Sequence, residues 1–284
     1  MIDSHLKDAL IKLLDDPSPV VHKSLLSELQ LLDTEGVDLL KAIVEEGAKP
    51  DLVKAAKVYL RELVGEDTVE QFIKFIRGFQ YELETGCIML DRVVYPEVEA
   101  EDIHDFLDEV AGRCDEILPK PYSALDQCRA LNRVLFHEYG FEGDHDEFYS
   151  PKNSFLSQVI ERRKGIPITL SIIYMLVAQR WGLQLEPIGL PGRFMVGCFV
   201  DESSFYIDTY EGGVILSAEE VQFLLYHYNI YETSQYLAPI PVGEVLARMC
   251  RNLAHQYVTT NDEKRAALFL GFLREFEEAY RKNS

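Results

Sequence analysis

Basic residues are scarce in this chain: 28 lysines and arginines stand against 48 aspartates and glutamates, a formal net charge of −20 over 284 residues. So acidic a surface repels phosphate backbones and anionic lipid, which sets nucleic-acid and membrane binding aside. A basic protein or peptide is the partner it would draw, and the plainer reading is that the acid keeps the chain soluble. The five cysteines, Cys87, Cys114, Cys128, Cys198 and Cys250, contain no CxxC pair. Neither a zinc knuckle nor a disulfide framework is suggested. Long apolar runs are missing too. The longest uncharged stretch, between Lys164 and Arg180, is too short to span a bilayer and suits a buried helix. The opening residues Met1 to Asp8 lack an apolar signal core and read as an amphipathic helix, so the cytoplasm is the expected compartment.

What is present is core-forming material. Hydrophobic residues make up 47% and aromatics 11% of the chain, and its length suits one large domain with a smaller one. Residues 1–66 read as helices. Ser18-Pro19 has N-cap and N1 chemistry, followed by Val20, Val21, Leu25, Leu26 and Leu29 at helical spacing. A second pattern, Val37, Leu40, Ile43 and Val44, ends near Gly47, and a third starts at Pro50-Asp51. The phrase Asp16-Pro17-Ser18-Pro19-Val20-Val21 resembles a HEAT-type repeat, but about one repeat is readable, so a small helical cap is preferred over a docking solenoid. Gly65-Glu66-Asp67 breaks the pattern, and Thr68 with Gln71 reads as a capping box opening the next domain.

Helical spacing continues through Ile103–Ile117 and Ala124–Tyr139. After the apolar helix Ile168–Trp181 the period becomes that of strands: Leu185–Leu190, Arg193–Val200, Phe205–Glu211 and Val214–Leu216. Pro191-Gly192, Asp201-Glu202-Ser203-Ser204 and Gly212-Gly213 separate them as turns, so the strands are antiparallel. Ser217 and Glu220 form a capping box for a helix to about Tyr228. The tail reads as a helical hairpin through Leu246, Met249, Leu253 and Tyr257, then Leu268, Phe272, Leu273 and Phe276. The expected fold is α+β, divided as 1–66, 67–240 and 241–284.

One ordered set of phrases is diagnostic. Ala130-Leu131-Asn132-Arg133-Val134-Leu135-Phe136 precedes Tyr149-Ser150-Pro151-Lys152-Asn153-Ser154-Phe155-Leu156 and Glu161-Arg162-Arg163-Lys164-Gly165-Ile166-Pro167-Ile168-Thr169-Leu170-Ser171. Then follow Arg180-Trp181-Gly182-Leu183, Gly189-Leu190-Pro191-Gly192-Arg193-Phe194 and Ile207-Asp208. Together they resemble the SirB-type bacterial branch of the transglutaminase-like superfamily, over roughly Gly86 to Tyr228.

The resemblance implies a papain-like α+β core. Active superfamily members place a cysteine at the N-terminus of a central helix, a histidine at the start of a strand and an aspartate on the neighbouring strand. Helix end and imidazole lower the thiol pKa, and the carboxylate orients the imidazole. Laid on this chain, the cysteine position falls on Pro167, the histidine position on Arg193 and the aspartate position on Asp208. Proline carries no nucleophile and arginine stays protonated, so the usual acyl-enzyme mechanism has nothing to start it. The expectation is a non-catalytic protein- or peptide-binding module without cofactor or metal. The alternative is a hydrolase or acyltransferase with a non-standard site in the same cleft.

The candidate cleft residues are Asn153, Thr169, Arg193, Asp208 and Tyr210. Arg193 and Asp208, on consecutive strands, could form an ion pair that either ties the strands together or leaves Arg193 to bind a carboxylate or peptide. Thr169 and Ser171 are expected to bond within their helix, and Cys198 to be a buried inert thiol. Asn153 or Ser154 fits an N-cap for the helix Phe155–Arg163. Asp144-His145-Asp146-Glu147 reads as a solvated loop, and the histidines, His255 included, take no ligand role.

Overall fold

A computed structural model describes residues 4–45, 49–64, 68–200, 204–227, 229–231 and 234–283. Gly47, the 65–67 break, the 201–203 part of the second turn, Tyr228 and opening residues 1–3 lie outside them. The chain divides into two compact units, 1–72 with 92–98, and 73–91 with 99–284.

In the first unit, α1 (Ser4–Leu13), α2 (Pro19–Leu31), α3 (Thr34–Glu45) and α4 (Pro50–Val64) share one aliphatic core. Leu25 and Leu29 of α2 meet Leu39, Leu40 and Ile43 of α3 and Ala56 and Tyr59 of α4. Pro19 takes the N1 position as its fixed φ suits, but the Ser18 side chain makes no cap bond; instead its N–H donates to Asp16 Oδ1 at 2.8 Å. Helix α5 (Thr68–Gly78) begins with Thr68 already helical, and the 65–67 stretch before it lies outside the described residues.

The second unit is built around α10 (Pro167–Arg180), preceded by most of α6 (Leu83–Val94) and by α7 (Ala100–Ile117), α8 (Ala124–Asn132) and α9 (Leu156–Arg162). Every residue of α10 from Ile168 to Ala178 is buried, because helices α7 and α8 cover one side and a sheet the other. The uncharged run read as a buried helix is this one. The pattern read as one helix over Ala124–Tyr139 changes hydrogen bonding midway: α8 ends at Asn132 and Arg133–Glu138 is a π-helix. A wider turn leaves hydrophobic spacing nearly unchanged, so periodicity did not register it.

Strands β1 (Glu142–Gly143) and β2 (Lys164–Gly165) form a short parallel bridge. Strands β3 (Glu186–Ile188), β4 (Met195–Cys198), β5 (Phe205–Asp208) and β6 (Val214–Leu216) form an antiparallel meander in chain order. Val196 faces Ile207 and Asp208 faces Val214. Helix α11 (Ala218–His227) caps the other face, where Val221 and Leu225 meet Ile188, Leu190, Met195 and Tyr206. Its capping box is present, with Ser217 N–H donating to Glu220 at 2.7 Å and Glu220 N–H to Ser217 Oγ at 3.2 Å. Helices α12 (Val242–Thr259) and α13 (Glu263–Asn283) pack as a hairpin. The buried stripe of α13 is Ala266, Phe269, Phe272, Phe276 and Ala279 rather than one through Leu268 and Leu273, because Phe269 stacks on Tyr257 at 5.6 Å and sets the helix's rotation. Helices flanking an antiparallel sheet make this an α+β fold.

Candidate functional site

Two walls enclose a cleft of about 300 Å³ within the second unit. The first carries Ile166, Pro167 and Ile168 from the start of α10, with Leu190, Gly192, Arg193 and Phe194 from the β3–β4 connection. The second is a face of α12: Arg248, Arg251, Asn252, His255 and Gln256. Phe148 and Tyr149 complete the lining.

The first wall is assembled by buried polar groups. Helix α9 starts at Leu156, and the N–H groups of Leu156 and Ser157 donate to the carboxylate of Asp91 at 3.0 and 2.6 Å. The expected cap from Asn153 or Ser154 is therefore not made; the acceptor arrives from 65 residues away. Burial pushes the Asp91 carboxyl up to about 7, against the pull of those N–H groups. Helix α9 ends on Arg163 at φ 61°, whose guanidinium lies over the rings of Phe106, Phe141 and Tyr139 at 4.4, 4.9 and 5.6 Å. The chain turns there into β2, and Pro167 takes the N1 position of α10, where no amide proton is needed.

Asn153 is fully buried and acts as a clamp. Its Nδ2 donates to Glu147 O at 2.7 Å, its Oδ1 accepts from Arg162 at 2.8 Å, and its carbonyl accepts the Thr169 hydroxyl at 2.8 Å. Ser171 and Thr209 share a hydrogen bond at 2.8 Å, fastening α10 to the end of β5. Both helix hydroxyls thus bond to other segments, correcting the expectation of intrahelical bonding: with α10 buried all round, neighbouring backbone and side chains lie within reach. Asp144 departs from the solvated-loop reading, being buried and paired with Arg162 at 3.2 Å. Burial alone would lift its carboxyl, but the Glu147 N–H, Asn153 and Arg162 outweigh it and hold it below the ordinary range. His145, Asp146 and Glu147 are exposed.

Arg193 lies just before β4. Its Nη2 stands 2.8 Å from Asp208 Oδ2 and 3.4 Å from Glu211 Oε1. Asp208 Oδ1 accepts the N–H groups of Tyr210 and Glu211 at 3.2 and 3.3 Å. Burial outweighs Arg193 and these donors, and it lifts the Asp208 carboxyl above its ordinary value. The Tyr210 hydroxyl donates to Asp144 O at 3.1 Å, and its ring meets His145 and Phe148 edge-on. Of the five candidate residues, Arg193 lines the cleft. Asn153, Thr169, Asp208 and Tyr210 are not among its lining, and their bonds hold its surroundings in place.

None of the residues lining the cleft is cysteine, serine or threonine. All five thiols are buried, Cys198 included, and carry no disulfide. Burial pushes the Cys114 thiol up to about 12 and that of Cys87 well above its ordinary value, far from the lowered pKa a thiolate nucleophile needs. His255 reaches the cleft, where its ring meets Tyr149 edge-on at 5.5 Å. Sequence reasoning missed the whole α12 wall. Its signal was there: residues 248, 251, 252, 255 and 256 recur at helical spacing opposite the apolar stripe. Such a stripe ordinarily marks a solvated face.

Residues 101–251 match the family model described as the transglutaminase-like superfamily. A UPF0162 protein of Xylella fastidiosa (strain 9a5c) is 34% identical over 195 residues, 65% of this chain and 68% of that protein. A UPF0162 protein of Vibrio cholerae is 27% identical over 135 residues, 47% of this chain and 50% of that one. F-box only protein 21 of Mus musculus is 33% identical over 132 residues, covering 44% of this chain and 21% of the mouse protein. No solved structure matches. A family match over more than half the chain, on an α+β core whose central buried helix opens onto a cleft, means that this chain belongs to the transglutaminase-like superfamily.

Proposed function

We propose that this protein is a non-catalytic transglutaminase-like module that binds a protein or peptide partner in the cleft between α10 and α12. The carrying observation is the group of three residues at the positions where the superfamily pattern puts its catalytic triad. Pro167 opens α10 without a nucleophile, and Arg193 lies 2.8 Å from Asp208 as a fixed cation. A guanidinium so placed neither accepts a proton nor gives one up, but it binds carboxylate well. On this reading residues 67–240 form the binding core, with 1–66 and 241–284 as helical flanks. The protein works in the cytoplasm, where five unpaired thiols stay reduced. Its charge of −20 favours a partner that is basic and neither nucleic acid nor membrane. Among the described residues no helix is long and apolar enough to cross a membrane.

A hydrolase or acyltransferase built on other residues of this cleft would need a nucleophile next to a base. His255 supplies an imidazole, but its ring partner is Tyr149 and no serine, threonine or cysteine lines the cavity. Two measurements test the proposal together. Partner capture from native lysate should fall for Arg193→Ala with the fold intact, and exposure to acyl donors followed by peptide mapping should leave the cleft unmodified. A covalent acyl adduct mapped to a cleft residue would overturn the non-catalytic reading.

A further inference from the structure

We infer that the cleft receives the C-terminal end of a peptide, whose carboxylate is held by Arg193 and Arg251; this rests on the binding reading above and names its ligand chemistry. The chain is strongly acidic, yet the charged side chains lining this cavity are Arg193, Arg248 and Arg251. The carboxylates that pair with them, Asp208, Glu211 and Glu244, are absent from the lining. The guanidinium groups therefore come between those acids and the cavity, which meets cations in a molecule that is otherwise anionic.

Spare donor capacity picks out two of the three. Arg248 has each of its three nitrogens engaged: Nε donates to Glu244 at 3.2 Å, Nη1 to Leu190 O at 3.4 Å and Nη2 to Gly189 O at 3.1 Å. Arg193 is engaged through Nη2 alone, leaving N–H groups without a partner among the described residues. Arg251 makes a single distant approach to Glu244 at 3.8 Å, and its side chain is 59% exposed. A carboxylate entering here meets two guanidinium forks with free donors, the geometry in which arginine binds such groups best. The start of α10 adds its partial positive charge at Pro167 and Ile168.

The rest of the lining fits a peptide end better than a bare ion. The Gln256 Oε1 accepts the Ser154 hydroxyl at 2.8 Å, which leaves Nε2 to donate, and the Asn252 carboxamide has no partner among the described residues. Carboxamides of this kind pair with the N–H and C=O of a peptide group. Phe148, Tyr149, Leu190 and Phe194 offer apolar and aromatic surface for a terminal side chain. At about 300 Å³ the cavity stands at the small end of ligand pockets and admits a chain end rather than a folded surface.

The test uses the full chain and a peptide library with randomised last residues, synthesised as free acids and as C-terminal amides. Enriched peptides are measured by calorimetry against the wild type, Arg251→Glu and Arg193→Ala, with circular dichroism confirming each fold. The free acid should bind, and its amide should be weaker by about tenfold or more, the loss of one charge-assisted pair. Arg251→Glu, at an exposed position, should weaken the free acid by a similar factor. Amides ending in aspartate or glutamate distinguish a side-chain carboxylate from the main-chain one, and equal binding by these would overturn the terminal assignment. Equal affinity of acid and amide, with Arg193→Ala still weakening both, would sink this inference while leaving peptide binding standing. Failure of any peptide to be enriched would sink both readings.

Discussion

The two walls of the cleft are built by opposite means. The first is held from behind by buried polar groups: Asp91 caps α9, Asn153 clamps Arg162 and Thr169, and Asp208 fixes Arg193. The second is the polar stripe of one helix, anchored by the apolar stripe opposite, with Leu246, Met249, Leu253 and Tyr257 buried. The first wall is rigid because its ions have nowhere else to find partners in a poorly solvated interior. Most of the second can be changed residue by residue, because exposed polar groups on a helix carry little stability. A site so divided keeps its shape with one wall and sets its ligand preference with the other.

The sharpest break is Asp208→Ala. It leaves Arg193 with only Glu211 and strips two backbone N–H groups of their acceptor, so the loss of stability should reach about 3 kcal/mol. Urea unfolding measures it, and a loss near zero would mean that the first wall does not depend on its buried ions.

Asp91 comes next, through pH. Its folded carboxyl is lifted to about 7, whereas an unfolded aspartate titrates near about 4. The folded state thus holds the proton more tightly. The corresponding stability is fully present below about pH 4 and is lost as the pH rises through about 7. Asp91→Asn does not titrate there, so its melting temperature should fall less than that of the wild type between those limits. Parallel curves would show that Asp91 is not the group responsible.

Smaller effects separate the walls. Gln256→Ala removes the acceptor of the buried Ser154 hydroxyl and should cost about 1–2 kcal/mol in thermal unfolding. Gly189→Ala would put a methyl carbon 2.7 Å from the Arg248 guanidinium, forcing a flexible side chain aside. It should alter ligand affinity more than stability, with a cost within about 1 kcal/mol. Arg251→Ala, its charge more than half exposed, should leave stability within about 0.5 kcal/mol. If Arg251→Ala unfolded the protein as readily as Asp208→Ala, the division of labour would collapse.

The sequence was a good guide to whatever a few neighbouring residues settle. Ser217 with Glu220 announced a capping box, Pro167 the first turn of α10 and Val214–Leu216 a strand, and each is found there. Adjacent strands likewise brought Arg193 to Asp208. The Ser18 hydroxyl, by contrast, stands at a cap position and makes no cap bond. For the cleft, Arg193 and Pro167 were legible, whereas Arg248, Arg251, Asn252, His255 and Gln256 were not. A polar stripe on an amphipathic helix has the same spacing whether it faces solvent or a cavity.

By itself the sequence determined where most helices and the four meander strands lie, the antiparallel order and the superfamily, since these depend on periodicity, turn chemistry and residues close along the chain. Only the tertiary structure decided that Asp91 caps a helix 65 residues away, that Thr169 and Ser171 bond outside α10, and that α12 closes the cleft. The physical reason is that a buried polar group takes whichever partner packing brings within about 3 Å, and spacing along the chain carries no record of that choice.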